Sequence, residues 1–396
     1  TDFLYDGKVV GHVTAGEKQF ATINTKIVIF PDKVYYDTEA EKFGMLAAEY
    51  PGFPGDVTFT ANTLTVPEQS YIDQAAENAE TKGSVAADTS ITAYTGASVN
   101  KTTGALTMSG GTAGTPDKLK AGDYIQYDCD SSKEYMVVQS SAKQSDGTYQ
   151  ITYLLHTAAL HKYPGFDELF KAGDAIEISG CTTCAANNGS HIIRSLEARK
   201  LTFTKDIFTK TGVEAGTVML ERKVPDLTCI CECDNRIWGA EGKTIYASAL
   251  GDPTNFYVYD GVSTDSYAVA VGTEGEFTGC IAYSSTVLFW KENCLHKVLG
   301  SYPAQYEIYT YTVPGIQKGS EKSLAVINET LFYKGRNGVY AYSGGTPELL
   351  TENFGTRRFF DAVGGTDGER YYISMRTEKG DWELYVFDTL RAIWLR

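Results

Sequence analysis

The sequence predicts an all-β chain: a β-propeller that carries an inserted small β-barrel region. Three observations lead there. Strand-like text runs almost throughout the 396 residues. A strand–turn–strand unit recurs along the chain. A different internal similarity occupies the middle.

Aromatic and β-branched runs of about four to eight residues are bounded by Gly, Asp and Asn, the composition of strands closed by turns. Helical periodicity is nearly absent. The one candidate is Glu68–Lys82, EQSYIDQAAENAETK, which has few apolar anchors and reads equally as a solvated linker.

The recurring unit is an apolar strand, a short polar turn and a second strand with aromatics. It is seen in Thr25–Thr38 (TKIVIFPDKVYYDT), Asn235–Leu250 (NRIWGAEGKTIYASAL) and Thr286–Gly300 (TVLFWKENCLHKVLG). It returns in Glu329–Gly344 (ETLFYKGRNGVYAYSG) and Arg370–Thr389 (RYYISMRTEKGDWELYVFDT). The last four recur about every 40 to 50 residues, the spacing of propeller blades. One hairpin cannot bury both of its faces; radially stacked four-stranded sheets do, and leave only short edges. Gly242 and Gly338 stand where turns need positive φ. A β-sandwich also spaces turns regularly, but its strands come more densely and repeat no such signature.

Residues from about 67 to 224 are richer in Thr, Ser, Gly and Ala. There Leu119–Cys129 (LKAGDYIQYDC) matches Phe170–Cys181 (FKAGDAIEISGC). Gly-Asp makes a tight turn, and alternation then puts Ile125 with Tyr127, or Ile176 with Ile178, on one buried face. Leu201–Phe208 and Val218–Arg222 supply later strands. The expected organisation is therefore a first hairpin or blade in 1–66, one or two inserted barrel modules in 67–224, and further blades in 225–396. The chain opens TDFLYDGKVV and stops at DTLRAIWLR, directly after strand-like text, which suggests a processed or partial chain.

Composition removes several classes. Fifty acidic against 35 basic side chains give a formal net charge of −15, the opposite of the basic footprint of a nucleic-acid reader. A hydrophobic share of 42% is enough for a packed core. No window approaches ~20 uninterrupted apolar residues, so no helical membrane span is expected.

The eight cysteines are 129, 181, 184, 229, 231, 233, 280 and 294. Cys229, Cys231 and Cys233 alternate, so a strand would put them on one face, unable to pair with one another. A zinc site could join Cys181 and Cys184 of CTTC to two of these thiols, but CxC gives poor bite geometry. The other reading is small buried hydrophobes in a reducing compartment. The sequence leaves this open.

Chemistry is sparse. No G-x-S-x-G elbow, Walker loop, HExxH or EF-hand loop occurs. His156 and His161 stand five apart and read best as turn-flanking surface residues; the others are His12, His191 and His296. Ser145–Tyr149 is only a fragment of the acid-box turn of propeller hydrolases. Asp252, Asp260 and Asp265 could ring a loop cation, yet their spacing fits no calcium loop, and turn Asp bonds its own backbone. No catalytic, cofactor-binding or metal residue is assigned, no cofactor is expected, and the chain is read as not an enzyme.

One stretch is more specific. NRIWGAEGKTIYASALGDPTNFYVYDGVSTDSY, running from Asn235 to Tyr267, resembles tailed-phage and prophage virion proteins in its Asn-Arg-apolar-Trp, then Ile-Tyr-x-Ser-x-Leu-Gly-Asp-Pro-x-Asn-aromatic pattern. Those are tail β-propellers, including the hub, nozzle and "stabilisation" proteins of short-tailed phages. KVLGSYPAQYE and the Gly315–Ser320 stretch of VPGIQKGSEKS look like the marks of successive blades in that family, and residues 170–226 resemble its inserted barrels. The resemblance covers about residues 170 to 396.

It implies a structural component of a phage tail, located in the virion and assembled in the host cytoplasm. The expected partners are copies of itself in a cyclic ring, with a hexamer as one candidate, and neighbouring tail proteins. DNA would pass through the lumen without specific binding. Surplus carboxylates toward that lumen would repel phosphate, and the 27 Tyr suit repeated interfaces. Two alternatives are a carbohydrate- or receptor-binding module, with Trp382 or Tyr257 stacking on sugar, and a secreted propeller glycosidase. The place in the tail, the ring number and the host are not readable from the sequence.

Overall fold

In the computed structural model the chain is almost entirely antiparallel β. The structure describes residues 1–50, 57–66, 165–203, 207–214 and 217–396, the strand backbone of 51–54, and, between 70 and 162, the backbone of strands and the turn residue Ser145.

Five four-stranded meanders form the frame. Sheet I spans 19–45, sheet II 229–270, sheet III 279–311, sheet IV 325–349 and sheet V 359–395. Each of the five hairpins seen in the sequence is the middle pair of one sheet, for example Thr286–Trp290 with Leu295–Leu299 in sheet III. The hairpins that open sheets II, III and IV close on two residues, both at positive φ: Asp234–Asn235 (51°, 58°), Ser284–Ser285 (47°, 57°) and Asn328–Glu329 (47°, 64°). Turns of this hand match the right-handed twist of the strands they join.

Alternation explains why the sheets stack. In the strand Thr286–Trp290, Val287 and Phe289 enter the core shared with sheet II, while Leu288 and Trp290 enter the core shared with sheet IV. In Thr330–Gly335, Leu331 and Tyr333 point back to sheet III and Phe332 points on to sheet V. A strand buried on both faces must read as a continuous apolar run, and these do. Trp290 and Tyr333 are fully buried with ring centroids 4.7 Å apart, and each contributes about 2 to 3 kcal/mol by burial. Four such cores join the sheets in order, I to II, II to III, III to IV and IV to V. The first strands lie closest: that of sheet II touches those of sheets I and III, and that of sheet IV touches that of sheet V.

A separate core belongs to an eight-stranded sheet. It takes three strands from 48–65 and five from 175–222, so residues from Ala48 onward pack with the inserted unit rather than with sheet I. Ile176 and Ile178 lie side by side in this core, as alternation requires. A further four-stranded sheet (80–156) and a strand pair, Ser70–Ile72 with Leu160–Lys162, are nested between its halves. Of the helix candidate Glu68–Lys82, the described parts, Ser70–Ile72 and Glu80–Lys82, are strand. It had too few apolar anchors to hold a helix against a sheet. Leu119–Cys129 is described only as the strand Tyr124–Cys129, and the side chains of Ile125, Tyr127, Cys129, His156 and His161 lie outside the described residues.

Candidate functional site

The two motifs that stood out in the sequence meet in space. Lys171 and Asp174 come from KAGD in the eight-stranded unit, and Asp252 and Asn255 from LGDPTN in sheet II. Gly173, at φ 93°, turns the chain so that the Asp174 carboxylate points inward. Asp174 is fully buried and pairs with Arg222. It also accepts from the Asn255 amide at 2.9 Å and the Lys171 N–H at 3.0 Å. Asn255 donates again to Asp252 at 2.7 Å, and Lys171 pairs with Asp252 at 2.8 Å. Arg222 also donates from Nε to the Leu46 carbonyl and from Nη1 to the Leu169 carbonyl. Every member is paired, which is what makes a buried polar network tolerable. It pins the inserted unit to sheets I and II.

The Asn-Arg-Ile-Trp motif is also structural. Arg236 is buried and donates to the carbonyls of Ser248 (2.7 Å), Ser263 (2.7 Å) and Asp265. One guanidinium thus ties down the 248–266 loop, a use of its fixed fork that Lys could not match. Burial draws its pKa below the usual arginine range.

Gly300 and Gly315 serve joints between sheets as well. A Cβ at Gly300 would overlap the Gln305 carbonyl oxygen, and this close approach delivers Tyr306 onto Trp238 of sheet II, centroids 5.1 Å apart. A Cβ at Gly315 would overlap the Lys291 carbonyl oxygen. The next residue, Ile316, is fully buried between sheets III and IV, and Ser320 accepts the Ala362 N–H at 3.0 Å.

The other candidate residues are not brought together. CTTC lies in the eight-stranded core, where buried Glu214 accepts the N–H groups of Thr183 (3.1 Å) and Cys184 (2.6 Å). The CICEC thiols lie in the core between sheets II and III, beside Cys280. Burial, then the thiols of Cys229 and Cys231, push the Cys280 thiol well above the ordinary range, an inert setting. Among the described residues no group of three or more His, Cys, Asp or Glu could hold a metal ion. Asp252 is held by Lys171, and Asp265 accepts from Gly261 and Val262, each within its own turn or joint. His12 pairs with Asp2 on the surface, and His191 reaches the Asn187 carbonyl oxygen at 3.0 Å. His296 is fully buried between Thr273 (2.9 Å) and Thr310 (2.8 Å); burial, then the Lys291 charge, lower its pKa to about 4.

Two surfaces are left unmatched. Sheet V turns one face to sheet IV; its outer face exposes Val363, Trp382, Leu384, Ile393 and Leu395, Trp382 at 54%. At the other end of the stack, the hairpin of Asp2–Tyr5 and Lys8–His12 lies over sheet I, with Phe3 stacked on Phe20 at 6.3 Å. Leu4, Val9, Phe20 and Met45 stay exposed there. Tyr257, by contrast, packs edge-on against Tyr246.

A cleft of about 810 Å³ opens where loops of sheets III, IV and V converge; Lys334, Arg336, Arg357 and Arg358 line it with Glu292 and Phe354. It brings together residues that the sequence reading did not single out, because they come from three separate segments.

No family model and no curated protein matches the chain. Among solved structures, a puromycin hydrolase mutant complexed with PGG is similar over 96% of this chain and 53% of that one, at 9% identity and a TM-score of 0.27. The chain thus spans about half the length of that protein. Among the described residues, no helix is long and apolar enough to cross a membrane.

Proposed function

We propose that the five sheets are blades of a β-propeller and that the chain is a structural component of a bacteriophage tail, a hub, nozzle or adaptor that works by assembling. The observation that carries this reading is the pair of unmatched apolar faces at the two ends of the stack. Contiguous exposed apolar surface on a folded chain marks a contact with another protein. The two faces differ, so copies joined through them make heterologous contacts, the kind that close a ring. Converging first strands and sheets stacked in chain order support the propeller. The motifs that resemble those of tail propellers serve joints between sheets or tie down a loop within one, as expected of a part selected for shape.

The same reading places the protein in the virion, with neighbouring tail proteins as partners and DNA passing without specific binding. Light scattering on the size-separated protein tests it: a defined cyclic oligomer is expected. A strictly monomeric protein at high concentration, missing from purified virions, would sink the proposal. Exposed Trp382 favours one other reading, a carbohydrate-binding surface. A glycan array would show binding that is lost in Trp382→Ala, and an array without hits removes that reading.

A further inference from the structure

The cleft between the loops of sheets III, IV and V is basic in a chain of net charge −15. Four cations and one carboxylate line it. Arg357 is already engaged, donating to both Glu383 oxygens at 2.7 Å and to the Tyr385 hydroxyl at 2.7 Å. The other three cations form no ion pair among the described residues. Arg336 and Arg358 are exposed and make no ion pair or hydrogen bond among the described residues. Lys334 is 1% exposed, and among the described residues its ammonium donates to neutral oxygens alone, Gln317 Oε1 at 2.7 Å and the Gly335 carbonyl.

A buried cation without an anion costs stability unless something supplies the charge. Burial accordingly lowers the Lys334 pKa to about 8. The three cations come from two segments: Lys334 and Arg336, at a strand end and the turn that follows it, and Arg358, on the connection to sheet V. A planar carboxylate offers two oxygens in one plane. A tetrahedral oxyanion offers oxygens in three directions and suits three separate cationic side chains brought together from two segments. The volume far exceeds one such anion and falls within the range of small-molecule pockets. Phe354 gives one wall an apolar surface.

We propose that this cleft binds a phosphorylated small molecule, its phosphate held by Lys334, Arg336 and Arg358 and the remainder lying toward Phe354. This site is independent of the assembly role.

Titration calorimetry at low salt tests it with pyrophosphate and ATP as probes and with citrate and a short DNA duplex as comparators. Saturable binding of both phosphates is expected, at least tenfold weaker in Arg336→Ser and in Arg358→Ser. Arg391→Ser, which removes an exposed charge elsewhere on sheet V, should leave the affinity unchanged. Both tested arginines are exposed, so the variants should keep the fold. The proposal is overturned if neither phosphate saturates, or if the two arginine variants bind as the parent does. Citrate binding as tightly as pyrophosphate would overturn the phosphate class. Duplex DNA binding without either small phosphate would overturn the small-molecule assignment.

Discussion

Replacing Asp174 by Ala should destabilise the protein by about 3 to 5 kcal/mol, the cost of stranding one partner of a buried ion pair. The structure supplies the terms. Asp174 has no exposed surface, and its loss leaves Arg222 with two backbone carbonyls and no anion. It also leaves the Lys171 N–H without its acceptor and removes one of the two carboxylates that the Asn255 amide serves. The double variant Asp174→Leu/Arg222→Met removes both charges while keeping much of their volume, so it should recover more than half of the loss. Urea denaturation at neutral pH, followed by tryptophan fluorescence, measures all three proteins. A cost below about 1 kcal/mol for Asp174→Ala would refute the joint as a buried, paired network. A double variant no better than the single would refute the stranded charge as the cause.

Three further outcomes follow from the same structure. Between pH 6.5 and 4 the unfolded chain takes up a proton on His296 that the folded chain refuses, so stability should fall as pH drops through this window. The loss should reach about 2 kcal/mol by pH 5 and about 3 kcal/mol in full, and His296→Gln should flatten denaturation midpoints across pH by that amount. Gly315→Ala should cost several kcal/mol, because the new methyl meets a backbone carbonyl that cannot swing aside; a thermal midpoint within about 1 °C of the parent contradicts the contact. Leu384→Asp, on the outer face of sheet V, should leave the melting temperature nearly unchanged yet shift sedimentation toward single copies. Unchanged association would clear that face of any role in assembly.

The middle of each sheet was legible in the sequence, and its borders were not. Strands such as Thr286–Trp290 announce themselves because both faces are buried, which forces an unbroken apolar run bounded by turn residues. In sheet IV the first and last strands are short. Ala325–Ile327 has three residues and Glu348–Leu349 two, too few for any periodicity. The strands of 48–65 looked like part of the first blade because sequence adjacency is a sound default, yet Tyr50, Val57 and Phe59 complete the eight-stranded core.

The joint at Asp174 was half legible. Gly-Asp and Gly-Asp-Pro-x-Asn were visible as turns, but Asp174 and Asn255 stand 81 residues apart, and no local pattern pairs them. Arg236 carried a visible signal, a lone Arg entering an apolar strand, whose meaning as a loop tie needed the fold. The basic cleft left no signal, because its cations come from two segments, 334–336 and 357–358, that only the fold brings together.

Single-particle imaging of the purified protein tests the assembly reading most directly. The account predicts closed cyclic rings in which the outer face of sheet V, with Trp382 and Leu384, is buried against another copy. Single copies with that face open to solvent, under conditions where the fold is intact, would contradict it.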